Sequence, residues 1–355
     1  MNPSQHPAFD NHEGVHWFED AASGLRAVIA IHSTHLGPAA GGCRVWRYAD
    51  DDAALGDALR LSQGMSYKNA MAGLAAGGGK SVILAPAGAF DRRALFQAFG
   101  RAVASLEGRY ITAEDVGASV ADMEVAATQT RYVVGLPPKG QNAGGDPSPW
   151  TALGVFEAMK LVVESRLDLR MDQTRVAVQG LGAVGMPLAV MLHEAGAKLV
   201  VADISSEKTA QAAAMFGAEV VSVQDIHKVA VDVFAPCALG GVIDRKTIGE
   251  LNCRVICGSA NNQLATPVEG GRLHDRGVIY CPDYVVNAGG IISVMAEYDG
   301  DAESLVKARV MAIPARTDQI LVQSEKRNLA ANLVADRMAQ DLIGRPGGAT
   351  ARSAA

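Results

Sequence analysis

The sequence has no run of about 20 uncharged apolar residues, the length a helix needs to cross a bilayer, so a membrane-embedded chain is not expected. It also has no excess of basic residues. Lys and Arg number 32 against 38 Asp and Glu, a net charge of −6, and the two signs are interspersed. A nucleic acid or an anionic lipid surface is recognised through a basic patch, so neither is expected as a partner. Residues Met1 to Asp10 lack the basic stretch and apolar core of a secretory leader. Cysteine is scarce: Cys43, Cys237, Cys253, Cys257 and Cys281 are an odd set with no C-x-x-C spacing. Neither a disulfide framework nor a zinc site is expected, and the thiols read as reduced, small core residues of a cytoplasmic protein. What is present is 49% apolar and 20% charged over 355 residues, which suits a packed globular chain of two domains.

Along the chain, Gly14–Ile31 reads as a hairpin turning at Asp20–Gly24. Asp51–Gly73 has helical periodicity through Leu55, Leu59 and Met65. A short strand at Ser81–Leu84, a helix at Arg92–Leu106 and a strand at Tyr110–Thr112 complete an α/β pattern. Val134–Pro149 is rich in Gly and Pro and is the expected hinge, followed by a helix from Thr151 to Arg166. From Arg175 to Val286 short apolar strands alternate with helices: Arg175–Gln179, Lys198–Ala202, Glu219–Val221, Val231–Ala235, Val255–Cys257 and Val278–Cys281. That rhythm predicts a doubly wound parallel sheet. After Ile291 the spacing predicts one helix ending near Ile313-Pro314 and another from Asp318 to Ile343, with a frayed tail over Arg345–Ala355.

Gly180-Leu181-Gly182-Ala183-Val184-Gly185 follows the strand Arg175–Gln179 directly and opens a helix. In that context the first glycine permits the turn, the second lets a pyrophosphate approach the backbone, and the third allows close helix packing. The helix N-terminus then offers free N–H groups and a positive dipole end to the phosphates. Asp203 ends the next strand, eighteen residues past Gly185. An acid there accepts from both ribose hydroxyls and repels a 2′-phosphate, which points to NAD over NADP. Two other motif matches fail on context. His12-Glu13-Gly14-Val15-His16 fits H-E-x-x-H, but a glycine and strand-like alternation exclude the helix that zinc ligation needs. Gly79-Lys80-Ser81 resembles the end of a phosphate loop, but Leu74 stands where its first glycine belongs and the order is helix then strand. No metal is expected.

Lys80 follows Gly77-Gly78-Gly79, read as a glycine turn after the helix, and lies twelve positions after Lys68, with no arginine or carboxylate between them. Bare backbone and a neighbouring cation both disfavour the ammonium form, which is how a protein prepares a lysine base. One of the two lysines can pair with a substrate carboxylate while the other serves as base. Asp115 lies at the C-terminal end of a strand, where ligands collect in open α/β sheets.

Seven blocks extend the argument: Gly37–Arg44, Met65–Ala70, Gly77–Lys80, Thr112–Gly117, Gly145–Pro149, Ser259–Leu264 and Pro282–Gly290. In this order they resemble the signature blocks of the glutamate/leucine/phenylalanine/valine dehydrogenase family, over about residues 15 to 340. The resemblance implies NAD-dependent oxidative deamination of an L-amino acid to a 2-oxo acid and ammonia. It implies that Lys68 binds the substrate carboxylate with the backbone of Gly41 and Gly42, and that Lys80 activates water. Asp115 would shuttle protons and stabilise cationic Lys80. Asn262 would reach in from the cofactor domain, Ser119 and Thr151 would lie near the nicotinamide carboxamide, and Arg44 near the cofactor side. Ile204, Ala238 and Ala260 join the fingerprint and Asp203 in the implied cofactor set. The implied organisation is a substrate-binding and oligomerisation domain over 1–149, an NAD-binding Rossmann domain over 150–315, and a C-terminal helix over 316–355 returning toward the first domain. The active site would lie in the cleft between the domains, in a homo-oligomer built of dimers. The side-chain pocket, Ala40, Met65, Ala113, Ile291 and Val294, is apolar, which disfavours glutamate. Ala40 stands where branched-chain members usually carry leucine. The enlarged pocket and the chain as a whole resemble the actinobacterial phenylalanine dehydrogenases, so L-phenylalanine is the first expectation. A leucine or valine dehydrogenase is the alternative, and a non-catalytic NAD-binding module a more distant one.

Overall fold

The structure is a computed structural model describing residues 2–137 and 143–345. Residues 138–142 of the expected hinge and 346–355 of the expected tail lie outside the described residues. The chain divides into two compact units. One takes the described residues up to Asp146, together with Ser293–Glu303 and the chain from Ala339; the other takes Pro147–Ile292 and Ser304–Met338.

The first unit is a mixed five-stranded sheet. Its elements are β1 (Gly14–Asp20), β2 (Leu25–Ser33), β3 (Ala39–Trp46), α1 (Asp51–Met71), β4 (Gly77–Leu84), α2 (Arg92–Ala104), β5 (Tyr110–Glu114) and α3 (Val120–Ala127). The strand order is β1-β2-β4-β3-β5. The hairpin β1–β2 is antiparallel, whereas β3 runs parallel to both β4 and β5. Strand alternation splits the side chains between two cores. Ala39, Cys43 and Val45 pack with Phe96 and Phe99 of α2 and Met123 of α3. Val28, Ala30 and Val82 pack with Ala54, Leu55, Ala58 and Leu59 of α1.

Two elements differ from the sequence reading. Strand β3 was not anticipated. The glycines before Lys80 are not a turn but the first half of β4, so Lys80 sits inside a strand opposite Ala30. The reason is steric, because glycine lets neighbours approach the backbone. A Cβ at Gly78 would overlap the backbone of Ser66 on α1, and one at Gly79 would press on the Tyr110 ring at 2.7 Å.

The second unit begins with α4 (Ser148–Val162), whose Pro149 sits in the first turn where its missing N–H is harmless. The doubly wound region follows: β6 (Arg175–Gln179), α5 (Gly185–Glu194), β7 (Lys198–Ala202), α6 (Ser206–Phe216), β8 (Glu219–Val220), β9 (Val233–Pro236), α7 (Arg245–Glu250), β10 (Val255–Ile256), α8 (Val268–Asp275), β11 (Ile279–Tyr280) and α9 (Asp283–Val286). All six strands are parallel, in the order β11-β10-β9-β6-β7-β8. The order reverses between β6 and β9, the switch point where doubly wound sheets bind nucleotides. The fold is therefore α/β with a Rossmann-type sheet.

The last helices are α10 (Gly289–Asp299), α11 (Glu303–Val310), α12 (Ile313–Arg327) and α13 (Ala331–Leu342). Pro314 opens α12 rather than ending a helix, because the first turn tolerates proline. The helix expected from Asp318 to Ile343 is broken at Asn328, whose left-handed φ of 49° caps α12. Among the described residues no helix is long and apolar enough to cross a membrane.

Candidate active site

The face of the first sheet that meets α1 carries a charged cluster. Parity along each strand puts Ala40, Gly42 and Arg44 of β3, Lys80 of β4, and Ala113 with the following Asp115 on this face. Lys80 is only 5% exposed, and its Nζ lies 2.8 Å from Asp115 Oδ2. The same oxygen accepts from Arg44 Nε at 3.0 Å, while Arg44 Nη1 reaches Asp57 Oδ2 of α1 at 3.0 Å. Tyr48 donates to that Asp57 oxygen at 2.6 Å. Burial alone would raise the Asp115 carboxyl, but the charge and hydrogen bond of Lys80, then Arg44 and the Val116 N–H, hold it below the usual carboxylate range. Glu114 next to it is pushed up by burial and by the charge of Asp146. Cys43, on the opposite face, is pushed up to about 12 by burial and has no nucleophilic role.

The local sequence argument gave Lys80 a cation as neighbour. The structure gives it a carboxylate, Asp115, at 2.8 Å, a distance across which a proton can pass between the two side chains. Gly42 makes room for this pair. A Cβ there would lie 2.7 Å from Glu114 O, 2.8 Å from Asp115 Cβ and 3.3 Å from Lys80 Nζ. The carbonyl of Gly41 accepts from the buried Tyr110 hydroxyl at 2.7 Å, which fixes this stretch of β3. Lys68 lies in the last turn of α1, half-buried. Met65, one turn before it, faces β3, since a Cβ on Gly41 would come within 3.1 Å of its Cγ. Ala40 is buried and Ala113 half-buried. Ser119 is the N-cap of α3, forming a capping box with Asp122. Val294 of α10 belongs to this unit and is buried.

The second unit carries the nucleotide features. Gly180 has φ +95° and abuts Ala238; Gly185 packs against the Gly180 carbonyl; at Gly182 a Cβ would meet nothing within 4 Å. Those are the turn, the helix contact and the open approach that a pyrophosphate cradle requires, so the residues fit a dinucleotide. Leu181, Ala183 and Val184 complete the loop into α5, where Val184 is the N-cap. Asp203 accepts from Leu181 N–H at 2.6 Å and from Ser205 N–H at 2.8 Å. Ile204 is 95% exposed beside it, an apolar surface suited to an adenine ring. Leu239, next to Ala238 and also largely exposed, was not anticipated.

Asn262 has a left-handed backbone, φ 52°, and its side chain is exposed. Its loop is held by Gln263, which donates to Gly258 O at 2.8 Å and Ala260 O at 3.1 Å, and by Asp283, which accepts from Gln263 N–H at 2.7 Å. Thr151 sits in the first turn of α4 and donates to Pro147 O at 3.2 Å. Ile291 is half-buried on α10. Lys80, Asp115, Arg44 and Gly42 are thus brought together in one unit, and the fingerprint, Asp203 and Ala238 in the other. Asp57 and Tyr48 were missed. A signal existed for Asp57: it lies eleven residues before Lys68, three helical turns, hence on the same side of α1.

The comparisons with known proteins identify the family. Residues 12–132 match the family described as Glu/Leu/Phe/Val dehydrogenase, dimerisation domain, and residues 201–313 match Glutamate/Leucine/Phenylalanine/Valine dehydrogenase. The chain belongs to the Glu/Leu/Phe/Val dehydrogenase family. This amino acid dehydrogenase is 46% identical over 334 residues to a leucine dehydrogenase of Geobacillus stearothermophilus, covering 94% of this chain and 91% of that one. It is 45% identical over 334 residues to a valine dehydrogenase of Streptomyces virginiae, covering 93% of each. The crystal structure of L-tryptophan dehydrogenase from Nostoc punctiforme superposes on the dehydrogenase with a TM-score of 0.84 at 41% identity, covering 95% of this chain and 97% of that one.

Proposed function

We propose that this dehydrogenase catalyses the NAD-dependent, reversible oxidative deamination of a branched-chain L-amino acid, leucine or valine. The observation that carries the reaction is the pair of buried Lys80 and half-buried Asp115 on the sheet face that also bears Ala40, Gly42 and Ala113. The reaction takes amino acid, water and NAD to 2-oxo acid, ammonium, NADH and a proton. Bound NAD supplies the hydride acceptor. Lys68 holds the substrate carboxylate with the Gly41-Gly42 backbone, which fixes the α-carbon. Asp115 takes a proton from the substrate ammonium, because hydride leaves the α-carbon only when the nitrogen lone pair is free to form the iminium. Water then attacks the iminium carbon while Lys80 Nζ takes its proton. Asp115 returns a proton to the nitrogen and, as the C–N bond breaks, takes the proton of the new hydroxyl, so the carbonyl of the oxo acid forms. That proton passes to the departing ammonia to give ammonium, and Lys80 releases its own proton to solvent. Asp203 favours NAD over NADP, since a 2′-phosphate would meet its carboxylate.

The sequence reading put L-phenylalanine ahead of leucine and valine. The order is reversed here because relatives named leucine and valine dehydrogenases match at 45–46% identity along more than nine-tenths of the chain. The aromatic reading keeps one support: Ala40 is small, and a relative named L-tryptophan dehydrogenase is 43% identical. A homo-oligomer built of dimers accords with the description of the first matched family.

The test is a panel of L-leucine, L-valine, L-phenylalanine, L-tryptophan and L-glutamate with NAD or NADP, following NADH or NADPH absorbance, in wild type and Lys80→Ala. Leucine or valine is expected to give the highest kcat/KM, glutamate the lowest, and Lys80→Ala to lose at least about 10²-fold. Phenylalanine outrunning both branched substrates would restore the aromatic reading. Undiminished turnover in Lys80→Ala would remove the assigned base.

A further inference from the structure

Asp57 is half-buried on α1, one shell away from the reacting pair. It accepts from Arg44 Nη1 at 3.0 Å, and the opposite edge of the same guanidinium donates from Nε to Asp115 Oδ2 at 3.0 Å. Asp115 Oδ2 in turn pairs with Lys80 Nζ at 2.8 Å. The four groups form a chain of alternating charge, Asp57–Arg44–Asp115–Lys80, that leads from a solvent-facing groove to the base.

The groove has a volume of about 600 Å³ and is lined by His6, Trp46, Asp52 and Arg60 besides Arg44 and Asp57. The Tyr48 hydroxyl, kept protonated first by burial and then by Asp57, remains a donor to Asp57 Oδ2 at 2.6 Å. Arg60, from the same helix, touches the other oxygen at 3.2 Å. Both oxygens of Asp57 are therefore oriented, and its place is fixed from β3, from the segment after β3 and from its own helix.

We infer that Asp57 is a positioning residue for the reaction: through Arg44 it fixes the Asp115 carboxylate and balances the charge felt by the Lys80–Asp115 pair. The inference rests on the reading of Lys80 and Asp115 as the proton-transferring pair. A planar guanidinium gripped at both edges cannot swing, so Asp115 Oδ2 is presented to Lys80 in one geometry. Asp57 also supplies the second anion of the group. Arg44 is cationic and Lys80 becomes so on taking the water's proton; with only Asp115 opposite them, the pocket would then carry an uncompensated positive charge in a poorly solvated site. The other charged groups near the chain are Arg60 and Asp52 on α1, His6 across the groove, Glu114 beside Asp115 and Lys68 at the end of α1.

The sign of the effect follows. Removing an anion beside a cluster of cations disfavours their protonated forms. The acid limb of kcat/KM, which reports formation of the active base, then moves to lower pH. With Asp57→Asn the expected displacement is about half a pH unit to one unit, for a charge acting through a partly hydrated path. Arg60→Gln removes an exposed cation that partly neutralises Asp57, so it moves the limb the other way, by a few tenths of a unit or so. Asp57→Glu restores the charge and returns the limb toward wild type. Asp52→Asn removes an equal charge from the exposed first turn of α1 and leaves the limb in place.

The experiment is the pH profile of kcat/KM for L-leucine with NAD in these four variants, alongside Lys80→Ala and thermal unfolding of each. Limbs that move down for Asp57→Asn and up for Arg60→Gln support the inference. An Asp57→Asn profile that superimposes on wild type, with only its amplitude or Tm reduced, overturns it and leaves Asp57 a structural residue. If Asp57→Asn does not accumulate as folded protein, Arg60→Gln decides by its direction. Loss of turnover in Lys80→Ala with unmoved limbs in both variants defeats this inference alone; full turnover in Lys80→Ala defeats the base assignment and the inference with it.

Discussion

Replacing Gly42 by alanine should disable the enzyme while leaving it folded and able to bind its nucleotide. The added methyl would stand 2.7 Å from the Glu114 carbonyl and 2.8 Å from Asp115 Cβ, both inside any normal carbon contact. Neither neighbour can turn away. Glu114 O belongs to the backbone of β5, and Gly42 pairs in register with Ala113 just before it. The strain must be relieved by pushing the end of β5 away from β3, which carries Asp115 off Lys80 and breaks a 2.8 Å contact. Overpacking of this kind costs about 1–3 kcal/mol, and at roughly 2–4 °C per kcal/mol for a unit of this size Tm should drop by about 2–12 °C. The catalytic cost is larger. A displacement of about 1 Å between a proton donor and its acceptor removes roughly 10²-fold in rate, so kcat/KM should fall by at least that factor. NAD affinity, read by quenching of protein fluorescence, should be unchanged because the fingerprint belongs to the other unit. If Gly42→Ala kept kcat/KM within about threefold of wild type, under half of the expected loss in free energy, the claim that the Lys80–Asp115 geometry sets the rate would be refuted.

Two further outcomes follow from other places in the chain. At Gly182 an added Cβ meets no atom within 4 Å, so Gly182→Ala should leave Tm unchanged and instead raise the NAD Kd by about tenfold or more, through exclusion of the pyrophosphate. Calorimetric titration giving a wild-type Kd would mean the fingerprint does not cradle phosphate. His12 is held down from 6.5 to about 4, first by burial and then by the charge of His32. The native state thus resists a proton that the unfolded chain accepts, so its contribution to stability is complete above about pH 6.5 and lost as pH falls toward 4. The loss is of order 2–3 kcal/mol after allowance for partial solvent screening. His12→Gln should flatten the fall in urea-unfolding free energy across that window; equal slopes for the two proteins would exclude His12 as the source.

The nucleotide half of the molecule was legible because its signals are local. The fingerprint glycines act mostly on atoms within their own strand–turn–helix, apart from the contacts of Gly180 with Ala238 and of Gly185 with Cys237, and Asp203 follows at a spacing set by one helix and one strand. The six parallel strands were likewise written as short apolar runs between helices. The substrate half was harder. Strand β3 reads Ala-Ala-Gly-Gly over its first residues, a composition of poor strand propensity, and it forms because β4 and β5 hold it on both sides. Gly77–Gly79 looked like a turn because the partners that require glycine, Ser66 and Tyr110, come from other elements. The resemblance to the family named Asp115 as the partner of Lys80, where the local argument had looked to Lys68. The Arg44–Asp57 link was invisible without register, since it joins a strand to a helix through a loop.

The carboxylate of Asp203 does more than await a ribose. It clasps the amide of Leu181 and the amide of Ser205, tying the glycine turn to the end of β7. Because these bonds come from the protein itself, they hold the turn in shape without drawing on the binding free energy of a dinucleotide. An exchange at this position intended only to admit a phosphorylated ribose would also slacken the cradle, so weaker binding of both coenzymes should accompany any relaxed preference.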